Sequence, residues 1–294
     1  IAASTKFDLA GFNATLRSNA TSTASVDVIP TANSITYSGA GRFIVERYLP
    51  VGNTHPKSWQ FLAAPSKGQT INAAWQEGNV LPTVGTAGLG TILSTNNAGG
   101  TGFDIIGGVA PSIKTFNPAG AGTWDGVAST LAPIANNKGY MVFIRGDRTV
   151  TTASQPAVAT TLRTTGKLYA PGTDAPTNST VIAGKLESIG NPYASAIDFT
   201  SLQTSSTGID TKFYVWDPLL PGTNGYGYGG FQTLGSANSY KPIPGGTANY
   251  PTGVVCTKIQ SGQAFFVYST PGGTVIFNEN NKTTGSQDVF RVNT

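Results

Sequence analysis

Five stretches of the chain gather β-branched and aromatic residues into runs of four to six, separated by turns rich in Gly, Pro, Asn and Ser: Ile44–Leu49, Tyr140–Ile144, Phe213–Trp216, Ala264–Tyr268 and Thr274–Phe277. Runs of this kind predict strands. Only Ile71–Glu77 has the spacing of a helix, about two turns long, with Thr70 placed to cap its start and Gly78 to stop it. Segments 79–102, 171–180 and 219–252 are rich in Gly, Pro, Asn and Thr and predict long surface loops, where contact with a ligand or partner is expected. Residues 1–45 follow a different pattern. Phe7-Asp8-Leu9, Asn13 to Arg17 and Ala24 to Ile29 alternate apolar and polar side chains, with too few apolar ones for an independent core. Their strands must pair with the first domain of the same chain, with an upstream domain, or with another copy.

The second half of the chain repeats anchors of the first in the same order. Leu62-Ala63-Ala64-Pro65, followed by Ile71 and Trp75, parallels Ile189-Gly190-Asn191-Pro192, followed by Ile197 and Phe199, with the prolines 127 residues apart. Thr115-Phe116-Asn117-Pro118 parallels Val215-Trp216-Asp217-Pro218 at an offset of 100. Gly139 and the run after it parallel Gly262 and its run at an offset of 123. Changing offsets place the length differences in loops. The expected fold is all-β: two sandwich-like domains, jelly-roll or immunoglobulin-like, related by internal duplication. Their expected bounds are 46–160 and 161–294, after an N-terminal strand segment, 1–45.

Composition narrows the function. The 294 residues include 37 Gly and 18 Pro, and only 11% are charged; an average soluble domain has roughly 25% charged residues. A single His (His55) and a single Cys (Cys256) exclude an internal disulfide, a cysteine-histidine zinc site, a multi-histidine metal centre and most histidine relays. No metal or cofactor is expected. The net charge of +4 is spread without a basic cluster, so nucleic-acid binding is not expected. No apolar run approaches the roughly 20 residues that span a bilayer. The only methionine is Met141, so the chain is expected to start downstream of a removed segment, as a secreted protein does.

Eight ordered anchors carry a family resemblance. They are Val45 to Pro50, Trp59 to Pro65, Ile71 with Trp75 to Gly78, Gly139 to Arg148, Gly190 to Ser195, Tyr214 to Pro218, Ser261 to Val267, and Phe277 with Lys282 and Phe290-Arg291. Together they resemble a module of large secreted surface proteins of Bacteroidota, typically exported by the type IX route and adhesin-like. The resemblance spans about 45–291, with Leu16 to Asn19 similar to its strand-rich lead-in. It implies an exported protein and no particular activity. The family's module usually precedes a C-terminal sorting domain, and none follows Arg291 in this sequence.

Glycoside hydrolysis requires two carboxylates in one cleft. Glu77, Asp104, Asp125 and Asp217 are the candidates, since aromatic residues lie near them in sequence. Against this, Asp217 before Pro218 has a neutral counterpart in Asn117 before Pro118, as expected of a turn residue rather than an acid catalyst. Arg145-Gly146-Asp147 spells an integrin-binding tripeptide, but its place directly after a strand predicts a charged hairpin end. Trp216, Tyr226, Tyr228, Phe231 and Tyr240 are candidates for stacking on sugars. Asn13, Asn19, Asn178 and Asn281 each open an Asn-X-Ser/Thr triplet and are candidate glycan attachment sites. Because 1–45 has no lysine between Lys6 and Lys57 to blunt a strand edge, Phe7, Leu9, Leu16, Val26 and Val28 are expected to mediate assembly with a neighbouring copy. The expected function is a non-enzymatic extracellular structural subunit of the bacterial surface, partnered by itself in a filament. The alternative is a carbohydrate-binding adhesin module.

Overall fold

Each apolar run of the sequence contributes a strand to the structure, with Ile276 and Phe277 lying just past the end of theirs; the computed structural model describes residues 6–50, 57–96, 99–106, 110–135, 137–218, 229–242 and 255–285. The N-terminal part contributes β1 (Phe7–Asp8), β2 (Ala14–Leu16), β3 (Ile35–Thr36) and β4 (Phe43–Leu49). Then come β5 (Ser58–Leu62), α1 (Ile71–Trp75), β6 (Ile113–Asn117), β7 (Thr123–Gly126), β8 (Tyr140–Ile144) and β9 (Thr160–Gly166). The second half holds β10 (Ser179–Val181), β11 (Lys185–Gly190), β12 (Ala196–Asp198), α2 (Phe199–Ser205), β13 (Lys212–Asp217) and β14 (Gly230–Gly235). It ends with β15 (Lys258–Ile259), β16 (Ala264–Ser269), β17 (Gly273–Val275) and β18 (Lys282–Thr283). Among the described residues the protein is all-β apart from the two short α-helices and three short 3-10 turns. Neither helix is long and apolar enough to cross a membrane.

Two four-stranded antiparallel sheets form the centre, in the orders β5-β8-β6-β7 and β11-β16-β13-β14. In each, the fourth strand in sequence inserts between the first and second. The registers correspond too. Ile113 pairs with Val142 as Phe213 pairs with Val267, and Leu62 pairs with Tyr140 as Ile189 pairs with Phe265. These pairings keep the expected offsets of 100 and 127. They place Gly139 opposite Ala264 rather than Gly262, because the β8 and β16 ladders correspond two residues further along. The helices correspond through their caps, since Thr70 accepts from Ala73 N–H and Asp198 from Ser201 N–H. Phe199 therefore takes the place of Ile71, and the expected pairing of Trp75 with Phe199 does not hold.

Each half is sandwich-like. One core lies between β5-β8-β6-β7 and a layer made of α1, Leu49, Leu162, Leu93 and Phe103. The other lies between β11-β16-β13-β14 and a layer made of α2, β12, β15 and β17, with Phe199, Phe213, Phe265 and Ile259 at its centre. Segment 79–102, expected as a surface loop, helps to form the first layer: Ile92 and Leu93 are fully buried, as are Phe103 and Asp104 just beyond it. Segment 219–252 supplies β14, and its residues 219–228 and 243–252 lie outside the described ones.

The two central sheets also pack on each other. Phe61, Phe116 and Trp124 from one meet Trp216, Phe231 and Phe266 from the other. Phe266 is the hub, with ring centroids 4.7 Å from Phe116, 5.1 Å from Phe61, 5.1 Å from Phe231 and 5.7 Å from Trp124. Trp216 donates its indole N–H to the Trp59 carbonyl at 2.7 Å, and Gly139 N–H donates to Ser188 Oγ at 3.1 Å.

The N-terminal strands pair within the chain. β1 adds in parallel to β3 and β2 in parallel to β4, which pairs antiparallel with β9. The β4–β9 ladder runs through both expected domain boundaries, near 45 and near 160. Leu9 lies in a small core with Ile29, Phe43, Val45, Leu168 and Ala194, against which Leu16 and Val26 pack.

The two central sheets approach closely at Gly139: a Cβ there would stand 2.5 Å from the Phe61 ring, 2.5 Å from Ser188 Oγ and 2.7 Å from the Ala264 methyl. We predict that Gly139→Ala destabilises the protein by about 1–3 kcal/mol in urea titrations through overpacking. Gly99→Ala, where a Cβ meets nothing within 4 Å, is expected to be near neutral. Equal stability of the two variants would show that the sheets do not meet at Gly139.

Candidate functional site

Asp104 is wholly buried and faces the guanidinium of Arg148, also wholly buried, through Arg148 Nη2 to Oδ1 at 2.8 Å and Nη1 to Oδ2 at 3.0 Å. The carboxylate also accepts from Leu81 N–H, Leu93 N–H and the Gln76 amide. Arg148 donates its remaining N–H groups to the carbonyls of Thr83, Val84 and Thr91. This pair supplies the hydrogen bonds that a buried irregular segment lacks. Glu77 pairs in turn with Arg163 on β9, and that hydrogen bond holds the guanidinium above its ordinary pKa. Asp125 is exposed on β7 and accepts from Asn117 and Thr123, while Asp217 is buried at the end of β13 in the other sheet. The four acids thus occupy separate structural positions.

Arg145-Gly146-Asp147 is not a solvent-exposed tripeptide, nor the charged hairpin end that its sequence predicts. Asp147 is buried and accepts from Gly88 N–H and Thr149 N–H. Gly146, at φ +133°, takes a backbone conformation that L side chains rarely adopt, and the chain turns there between Arg145 and Asp147. Arg145 is only 9% exposed, its guanidinium lies 5.0 Å over the Phe143 ring, and its Nη1 has no hydrogen-bond partner among the described residues. Burial pushes its pKa down, opposed by the Asp104 charge.

Arg145 lines a cleft of about 840 Å³. Leu81, Pro82, Val84, Ile105 and Ile106 form apolar walls, and the 151–153 loop closes another side. The Asp104–Arg148 pair fastens the first wall, because Leu81 N–H, Thr83 O and Val84 O are bonded to it. Lys57 donates to the carbonyls of Thr152 and Ala153, and its pKa is lowered by burial and then by Arg145. The sequence carried one signal for this site, the Arg145-Gly146-Asp147 stretch that directly follows the apolar run of β8.

The other candidates divide. Trp216 and Phe231 lie in the contact between sheets with centroids 4.9 Å apart, and Tyr240 packs against Phe199 and Phe213. These three rings are half-buried and pack in part against other aromatic side chains of the chain. Tyr226, Tyr228 and His55 fall outside the described residues. Asn13, Asn19 and Asn178 are exposed, but Asn281 is 1% exposed and donates to Ser201 and Ser205, so it does not present a glycan site. Of the assembly candidates, Leu9, Leu16 and Val26 belong to or pack on the chain's own core, whereas Phe7 and Val28 face solvent. Among the described residues no three His, Cys, Asp or Glu side chains are grouped to hold a metal.

Removing one member of a buried pair leaves the other uncompensated, so Asp104→Ala is predicted to cost about 3–5 kcal/mol in chemical unfolding. The double variant Asp104→Ala with Arg148→Met is expected to regain part of that loss, and identical losses in the two would exclude coupling. Burial pushes the Cys256 thiol up to about 11, and the thiolate is the reactive form. A disulfide reagent at pH 8 is therefore expected to label Cys256 in the unfolded chain far faster than in the native one. Equal rates would place the thiol at the surface.

The family model described as Domain of unknown function (DUF8693) matches residues 108–294, from the segment before β6 to the end of the chain. No curated protein and no solved structure matches the chain. With well over half of its length matched, the chain belongs to the DUF8693 family.

Proposed function

We propose that the protein is a non-enzymatic, extracellular structural subunit of the bacterial surface that associates with further copies of itself. The observation that carries this reading is the division of apolar side chains in the N-terminal segment. Leu9, Leu16 and Val26 serve the chain's own core, while Phe12 is 81% exposed, Phe7 44% and Val28 40%. Apolar surface left in water is a recurrent mark of an interaction site. The short parallel pairs β1–β3 and β2–β4 also offer a route by which neighbours exchange identical segments. Export is supported by the sequence resemblance, and we read the common strand order of the two sheets as internal duplication. The partial packing of Trp216, Phe231 and Tyr240 against other aromatic side chains makes the carbohydrate-binding reading the weaker one.

The test compares the purified chain with the Phe7→Ser/Phe12→Ser variant by light scattering and electron microscopy over a range of concentrations. The expected result is assembly of the natural chain and its loss in the variant, with an unchanged circular dichroism spectrum. A natural chain that remains monomeric throughout the range would overturn the reading.

A further inference from the structure

We propose that the cleft beside Arg145 binds an organic carboxylate carried on an apolar chain, the chemistry of a fatty acid. A guanidinium removed from water is costly unless an anion or acceptors compensate it. Arg145 is about nine-tenths buried, and its Nη1 has no partner among the described residues. The nearby acids are already engaged: Asp104 by both terminal nitrogens of Arg148, and Asp147 by Gly88 and Thr149. The other charge close to Arg145 is Lys57, also positive. The cleft therefore has a positive end, lined by an arginine whose buried Nη1 stands without a partner among the described residues.

The donors present set the head group. The hydroxyls of Thr151 and Thr152 are turned to Gln155 Oε1, and Lys57 donates twice to backbone carbonyls. One planar guanidinium remains as the principal donor, and its fork matches a carboxylate edge-on. A dianionic phosphate would require more donors than these. The walls set the body of the ligand. Leu81, Pro82, Val84, Ile105 and Ile106 offer hydrocarbon and little polarity, and Ile105 is 66% exposed. A volume of about 840 Å³ falls in the usual range for small-molecule sites, roughly 300–1,000 Å³. This inference is independent of self-association, since Phe7 and Phe12 do not line the cleft.

Calorimetric titration of the full chain with decanoate below its micelle concentration, with 1-decanol and acetate as controls, tests the proposal. Decanoate is expected to bind, acetate to bind far more weakly for want of a chain, and 1-decanol to bind weakly for want of a charge. Arg145→Met is expected to weaken decanoate by at least about tenfold, as loss of a charged hydrogen bond does, and to leave 1-decanol unchanged. Because Arg145 is buried, the exposed position Ile105 supplies a second variant: Ile105→Asp is expected to weaken decanoate by charge repulsion while the fold is retained. No binding of decanoate to the natural chain would overturn the proposal. So would equal decanoate affinity in the natural chain and in whichever of the two variants folds.

Discussion

The contact between the two central sheets is the constraint on which the rest of the structure depends. Phe266 on β16 touches rings from β5, β6, β7 and β14, so one side chain joins strands of both halves. The pairs with Phe116 and Trp124 are edge-to-face, and aromatic pairs contribute about 0.5–1.5 kcal/mol each beyond the area they bury. The corresponding positions of the two sheets are filled complementarily. Where one sheet pairs Phe61 with Met141, the other pairs Ser188 with Phe266, so each sheet sets one large ring beside a smaller side chain, and the two rings meet 5.1 Å apart across the interface. Gly139 opens the space that lets them approach.

This contact explains why the central strands are apolar on both faces. Along β8, Tyr140, Val142 and Ile144 enter the outer core while Met141 enters the contact between sheets; along β16, Phe265 and Val267 are divided from Ala264 and Phe266 in the same way. A strand with one face in water would alternate apolar and polar residues. A continuous apolar run is the sequence pattern of a strand covered on both sides.

The outer layer of the first half is held by charge rather than by regular structure. Segment 79–106 has few backbone partners of its own, and the Asp104–Arg148 pair provides them at Leu81, Thr83, Val84, Thr91 and Leu93. The same Arg-Gly-Asp-Arg stretch places Arg145 in the cleft and Arg148 in the core, on either side of the turn at Gly146. A wall of the proposed ligand site thus depends on a structural ion pair that does not itself line it.

Local chemistry made the strands, α1 with its Thr70 cap and the corresponding anchors readable in the sequence, because β propensity, breakers and caps act over a few residues. The helix at Phe199–Ser205 escaped, since β-branched and small polar residues surround only two buried apolar ones, Phe199 and Leu202. The candidate site was legible only as the sequence Arg145-Gly146-Asp147; its cleft was not. Tertiary structure alone decided that Asp104 is a structural acid, that Trp216 donates to the Trp59 carbonyl across the sheet contact, and that β1 and β2 find partners in their own chain. Asp104 and Arg148 stand 44 residues apart, and Trp216 and Trp59 stand 157 apart. Pairings at such separations are chosen by the packing of whole sheets, and no local pattern of residues encodes them.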